Sequence, residues 1–458
     1  MVFLWILLAG VHILPAQEVD PTGIAGRWAD HPASVSVAVL DLEHDVWTHL
    51  VRADKHMVPA STLKVLTTAA AWRVLGPDHR IETTLEALGE EADDGVFQGD
   101  LVLRGGGDPT LASGRFGPRY DLDAVLDSVR SVLMKSGIRQ VTGDLILDVS
   151  RFSNVAANRA WITEDVANYY AATPHGLMID EGRTRAVFST GATGEPARWL
   201  HLRPDDGLHR VNHVTAGPRG SGDETYLFRD GDELLAVGTL PPERPAYTVR
   251  GAMIDPPSVL GGHVLSAVRD IVRGEVRVVT DPMPLGDVLM TWRSPPIREM
   301  VTAIHDHSLN LHTEHLARLL VLGPHTSAAD AVRAVTDHWT DLGLGEHTEL
   351  RDACGLSPMN RISARSLVRV LARMSETGWP STLPTTLRWL PATDPPITYR
   401  VKTGSFDGVR GLIGYLDEAG RPVSAFAILF NGLAARPDPA VRREMVRLVR
   451  DLADSRHP

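Results

Sequence analysis

Ser61-Thr62-Leu63-Lys64, Ser308-Leu309-Asn310 and Lys402-Thr403-Gly404 follow one another along a chain that has almost given up lysine. Of 46 basic residues only Lys55, Lys64, Lys135 and Lys402 are lysines. Arginine stays protonated in proteins, whereas a crowded or buried lysine can lose its proton and act as a base. Lysine at two motif positions therefore points to a chemical need. A serine hydroxyl is a poor nucleophile until a base removes its proton. On a helix the residue three positions on lies about one turn away on the same face, so Lys64 is placed to be the base for Ser61. Partial burial and a second cation, Lys402, would both lower the pKa of Lys64.

Ser308 and Asn310 stand two apart, so an extended segment would point both side chains into one cleft. There Ser308 can relay a proton to a leaving amine. Asn310 carries a donor and an acceptor, suited to holding a peptide group beside the lysine. Lys402 follows Tyr399-Arg400-Val401, which reads as a strand, and Gly404 would let a ligand approach the backbone closely. Such a strand can align an extended peptide through backbone hydrogen bonds. Each motif alone says little. A lone Ser-x-x-Lys usually marks a helix start with a solvated lysine, and a lone Lys-Thr-Gly a strand entering a turn. In this order the three resemble the motif set of penicillin-binding proteins and class A β-lactamases, whose acylation base is disputed.

From about Val35 to Asn431 the chain resembles the D-alanyl-D-alanine carboxypeptidase/endopeptidase family of low-molecular-mass (class C) penicillin-binding proteins with inserted domains. The likeness lies in Val35-Ser36-Val37-Ala38-Val39-Leu40-Asp41-Leu42, in Pro59-Ala60 before Ser61, and in the apolar stretch Val65 to Leu75. It continues through Gly105-Gly106-Gly107-Asp108-Pro109-Thr110-Leu111, Gly143-Asp144-Leu145, and Trp161 to Leu177 with Tyr169 and Tyr170. Ser294-Pro295-Pro296 before the second motif and Glu314 after it complete the pattern. The resemblance implies acylation of Ser61 by the D-alanyl-D-alanine end of a peptidoglycan stem peptide, then hydrolysis, with β-lactams as slow mimics. It also implies that Lys402 and Thr403 hold the terminal carboxylate and that backbone N–H groups of Ser61 and Ser405 form the oxyanion hole. Gly404 lies between them, and Trp161 to Asp165 would help read the stem-peptide side chain. Three positions depart from the family pattern: Leu309 where a polar residue is common, Cys354 where serine is usual, and Ser405 where threonine is common.

At 458 residues the chain is too long for one ordinary core. The stretch between Lys64 and Ser308 far exceeds what a bare catalytic domain needs. The expected organisation is a signal peptide at 1–16, a discontinuous serine transpeptidase-like catalytic domain at 17–80 and 286–458, and accessory domains inserted at 81–285. The fold class expected is α/β (α+β). Its catalytic part is a penicillin-binding/β-lactamase-like antiparallel sheet flanked by helices, and the insertion is mixed α/β with a β-rich part near 185–250. Helical patterns run over Leu122 to Ser136, Ile297 to Asp306, Thr313 to Leu322, Ala328 to Leu342, Ser363 to Ser375 and Ala440 to Ala453, with strands at Leu412 to Leu416 and Ser424 to Leu429.

A net charge of −11 argues against nucleic acid, whose phosphates need a basic face. The single cysteine, Cys354, excludes an internal disulfide and reads as a small buried hydrophobe. Met1 to Ala16 is apolar, lacks a basic start and is shorter than a membrane span, so export to the periplasm, cell wall or medium is expected, without a stable span. No cofactor and no metal is called for. His305, His307, His312 and His315 cluster with Glu314, but their spacing fits neither His-Glu-x-x-His nor its inverse. Two further readings compete: a non-catalytic peptidoglycan-binding protein of the same fold, and a β-lactamase. Intact Ser61 and Lys64 oppose the first, and the long insertion opposes the second.

Overall fold

The computed structural model describes residues 19–28, 33–153, 157–344, 348–385, 397–434 and 439–454. The expected signal peptide lies outside the described residues. The chain opens with α1 (Ile24–Arg27), β1 (Ser34–Asp41) and β2 (Val46–Val51), then α2 (Lys64–Val74). Next come β3 (Glu82–Glu91), β4 (Val96–Arg104), α3 (Leu122–Lys135), β5 (Gln140–Val141) and β6 (Leu145–Asp148). A β-rich stretch follows, with β7 (Arg183–Ser189), β8 (Arg198–Arg203), β9 (His209–Ala216), β10 (Glu224–Asp230), β11 (Glu233–Leu240) and β12 (Tyr247–Ala252). After α4 (Pro256–Ala267), β13 (Val276–Val279) and β14 (Asp287–Arg293) the chain turns helical, with α5 (Ile297–His307), α6 (Asn310–Leu319) and α7 (Ala328–His338). It ends with β15 (Thr348–Glu349), β16 (Arg361–Ile362), α8 (Ala364–Met374), β17 (Thr398–Phe406), β18 (Val409–Glu418), β19 (Arg421–Asn431) and α9 (Pro439–Asp454).

The two ends of the chain meet in one five-stranded sheet of order β17-β18-β19-β1-β2, antiparallel throughout. Both of its faces are covered, and β1 is accordingly buried at every position between its two ends. Ala38 and Leu40 face the core built by α2, α5, α6, α7 and α8, while Val35, Val37 and Val39 face a second core closed by α1 and α9. Helix α2 is central and buried all round from Lys64 to Ala71, with Val65, Leu66, Ala69, Ala70 and Ala71 fully buried.

The middle of the chain builds a six-stranded mixed sheet, β13-β6-β4-β3-β14 with β5 beside β4, covered by α3 and α4. Strand β14 pairs with β3, so this sheet takes in residues just beyond the expected end of the insertion at 285. Strands β7 to β12 form two three-stranded sheets around a separate small core containing Phe188, Leu202, Leu227 and Val249.

One expectation about local structure fails. Ser308, Leu309 and Asn310 are not an extended segment. Ser308 takes a left-handed conformation (φ 55°) that ends α5, Leu309 is extended, and Asn310 is the first residue of α6. The serine and the asparagine share a cleft because a helix–turn–helix corner presents them there. Leu309 packs against the main core.

Candidate active site

Ser61 lies in a short 3-10 turn, Ala60–Leu63, that runs directly into α2, so Lys64 follows it by one turn. The turn is held by Thr62, whose hydroxyl donates to the Pro59 carbonyl at 2.7 Å. Ala60 has a positive φ of 49°, an uncommon conformation for a residue with a β-carbon. Two glycines press against this turn. A β-carbon on Gly404 would lie 3.0 Å from the Ser61 nitrogen and 2.8 Å from the Thr62 nitrogen, and one on Gly355 would lie 2.0 Å from the Ala60 oxygen. Gly404 thus lets β17 pass over the start of the nucleophile helix. Gly355, with φ 82°, lets the loop after β15 close from the other side. Gly355→Ala is expected to destabilise the protein by about 3 kcal/mol, the sum of a left-handed alanine and a backbone overlap, read as a lowered denaturation midpoint. An unchanged midpoint would show that the loop can retreat freely.

The Lys64 amine is fully buried and has three partners. It donates to the Ser61 hydroxyl at 3.0 Å, to Asn310 Oδ1 at 2.6 Å and to the Cys354 carbonyl at 2.6 Å. In the neutral amine two N–H groups remain for Asn310 and Cys354, which turns the lone pair toward Ser61. Burial depresses its pKa, and Cys354, Asp352 and Glu314 oppose that shift. The sequence pointed to Lys402 as a cause of that lowering. The repulsion falls instead on Lys402, which burial first and Lys64 second bring down to about 7. Lys402 Nζ donates to the Ser308 hydroxyl at 3.2 Å and to the Thr403 carbonyl at 2.9 Å.

Strand β17 is the edge of the five-stranded sheet among the described residues; its Val401 N–H donates outward to the Pro384 carbonyl at 3.0 Å, and beyond it Thr403 is partly exposed and Ser405 exposed. All three motifs therefore converge on one cleft: Ser61 with Lys64 on the floor, Ser308 and Asn310 on one wall, β17 on the other.

Several supporting groups are not apparent from the motifs. Asn310 Nδ2 donates to the Tyr170 carbonyl at 2.8 Å, which fixes which end of the amide faces Lys64. The Cys354 carbonyl is presented by a loop wound around the buried carboxylate of Asp352. That carboxylate accepts from the backbone of Gly355 (2.7 Å) and Ser357 (2.6 Å), from Asn360 Nδ2 (2.8 Å) and from the Trp161 indole N–H (2.9 Å). Trp161 is thus buried and committed to this loop rather than free to read a ligand. Cys354 itself is fully buried, its thiol held well above its usual pKa by burial, in keeping with a packing role.

Among the described residues the clustered histidines belong to no set of closely grouped ligand atoms. His305 sits between Thr68 and Thr382, neutral and lowered to about 3 by burial; His315 bonds the Gly107 carbonyl; His307 is exposed. Glu314, Asp352 and Cys354 bring ligand atoms within 4.8 Å of one another. Asp352 already accepts four hydrogen bonds, and Glu314 accepts from Arg318 at 3.0 Å and from the Ala353 N–H at 2.7 Å.

Comparison with known proteins places the chain in a family. The model of the D-Ala-D-Ala carboxypeptidase 3 (S13) family matches residues 24–452. A D-alanyl-D-alanine carboxypeptidase of Actinomadura sp. (strain R39) is 30% identical over 413 residues, covering 82% of this chain and 74% of that one. A D-alanyl-D-alanine carboxypeptidase of Haemophilus influenzae is 23% identical over 400 residues, covering 82% and 81%. The crystal structure of penicillin binding protein 4 from Haemophilus influenzae superposes with a TM-score of 0.79 at 22% identity, covering 92% of this chain and 97% of that one. The chain belongs to the D-Ala-D-Ala carboxypeptidase 3 (S13) family and is a serine-type D-alanyl-D-alanine carboxypeptidase, a hydrolase.

Proposed function

We propose that the Ser61 hydroxyl attacks the carbonyl carbon of the terminal D-alanyl-D-alanine bond of a peptidoglycan stem peptide, passing its proton to neutral Lys64. The observation that carries this reading is the Lys64 amine, 3.0 Å from the Ser61 oxygen with its other contacts taken by Asn310 and Cys354. The oxyanion is stabilised by the backbone N–H groups of Ser61 and Ser405, each such donor being worth about 3 kcal/mol in the transition state. Ser308, held by Lys402, relays that proton from Lys64 to the departing amine, taking one up as it gives one, so the C–N bond breaks with Lys64 neutral again. Lys402 and Thr403 hold the carboxylate of the departing D-alanine, while the stem peptide pairs with the open edge of β17. Water then cleaves the acyl-enzyme. A D-alanyl bond inside a cross-link meets the same groups, so endopeptidase action belongs to the same reading.

In this reading residues 17–80 and 286–458 make the catalytic domain and 81–285 the accessory units, except that β14 belongs with the accessory sheet. The enzyme works outside the cytoplasm, where its polymer substrate lies, and the apolar Met1 to Ala16 supports export. Among the described residues no helix is long and apolar enough to cross a membrane.

Incubating the native protein with penicillin is expected to add the mass of one intact β-lactam to the peptide containing Ser61. D-alanine release from a pentapeptide should stop in parallel and should be indifferent to chelators. A label on another residue, or activity lost to a chelator, would contradict the assignment. Rapid penicillin turnover would favour a β-lactamase.

A further inference from the structure

A cavity of about 400 Å³ opens where the loop carrying Tyr169 and Tyr170 meets β10 and β12 of the small β unit. It adjoins the catalytic cleft through Tyr170, whose carbonyl holds the Asn310 amide at 2.8 Å. Backbone pairing fixes the seam: Asn168 bridges Gly251, and the Ala252 N–H donates to the Ala167 carbonyl at 3.0 Å. The cavity is therefore tied to the same corner that sets Asn310.

Its lining contains no aliphatic side chain. Tyr169, Tyr226 and Tyr247 supply rings, Asp223 and Glu224 supply carboxylates, and Arg250 supplies a guanidinium. Tyr169 is 40% exposed and Tyr226 36%, so both rings are open to a ligand. Arg250 lies 6.0 Å above the Tyr169 ring centre, and Tyr226 stacks on exposed Phe228 with centres 6.0 Å apart. Such a wall suits a particular chemistry. A pyranose ring has an apolar C–H face that lies flat on an aromatic ring and a rim of hydroxyl and amide groups that needs donors and acceptors together. A polyanion would need a basic lining, yet here two carboxylates face one guanidinium. An extended peptide would need a strand edge, which β17 already offers.

We propose that this cavity is a glycan subsite, taking an N-acetylated sugar ring of the peptidoglycan strand that bears the stem peptide; this rests on the reading of Ser61 as a peptidoglycan D,D-peptidase. Tyr226 and Tyr169 stack on the ring, and Glu224 and Arg250 bond its rim. The small β unit then has a task, which is to favour polymer-linked stems over free peptide.

The test uses the full chain and a peptide-free N-acetylglucosamine tetramer, titrated calorimetrically into the native protein, Tyr226→Ala and Arg250→Ala. KM is measured in parallel for a disaccharide-linked pentapeptide and for the free pentapeptide. The native protein is expected to bind the tetramer and to prefer the disaccharide-linked substrate. Both variants should weaken tetramer binding and reduce that preference about fivefold to tenfold, the range that loss of one aromatic contact allows. Their acylation by penicillin should be unchanged. No tetramer binding by the native protein would overturn the proposal, as would equal KM values for the two substrates. A loss that falls equally on the free pentapeptide would overturn it too, and would assign the cavity to the peptide. Failure of penicillin to acylate the native protein would instead strike the reading of Ser61, leaving sugar binding to be judged on the tetramer alone.

Discussion

Replacing Ser61 by alanine is expected to abolish both penicillin labelling and D-alanine release, by more than about 10⁴-fold for turnover, as for other serine nucleophiles acting in a unit with their base. The expectation is sharp because the Ser61 hydroxyl bonds the Lys64 amine, while the turn that carries it is held by Thr62 and Pro59. The variant should therefore stay folded. Removing one partly buried hydroxyl costs about 1 kcal/mol in stability. Intact-mass measurement after penicillin treatment reads the covalent step, and release of free D-alanine reads turnover. If the variant still gained the β-lactam mass, a different nucleophile would be at work. If it lost activity along with its native unfolding transition, the loss would report collapse rather than chemistry, so the thermal transition is measured on the same sample.

The legible and illegible parts of this site differ in kind. Side-chain identity at short spacing is visible in a sequence, so Ser61, Lys64, Asn310 and Lys402 stand out, and the alternating stretch Val35 to Leu42 announces a strand, though not that both of its faces are covered. Backbone carbonyls carry no residue type. The Cys354 and Tyr170 carbonyls fix Lys64 and Asn310, yet any residue there could offer the same oxygen. The buried Asp352 sets the loop only through partners at Gly355, Ser357, Asn360 and distant Trp161, a convergence that no local spacing reveals. The corner at Ser308 escapes a reading by spacing for a related reason. Two-residue spacing fits a strand, but a left-handed serine between helices presents the same pair to the cleft, and the apolar periodicity of α5 and α6 decides the matter on either side.

Replacing Lys64 by methionine is expected to slow acylation by about 10² to 10⁴-fold and to remove the rising limb of its pH profile. With the ordinary pKa near 10.4, roughly one lysine in two thousand would be neutral at pH 7, so the burial that lowers Lys64 decides how much enzyme is competent. In the proposed mechanism neutral Lys64 accepts the Ser61 proton, so the rate should rise with pH as Lys64 loses its own. Lys402 would have the opposite requirement there, since only its ammonium attracts the carboxylate of the departing D-alanine. With Lys402 lowered to about 7 in the free enzyme, kcat/KM for a pentapeptide should fall above that pH, and Lys402→Met should erase this falling limb while raising KM. The two lysines share one cleft, so the limbs belong to the pair and move together when either is changed. Acylation by a neutral β-lactam ester, which has no carboxylate to be held, should keep the rising limb and lose the falling one. A bell-shaped profile that survives in Lys64→Met would take the proton-accepting role away from this amine.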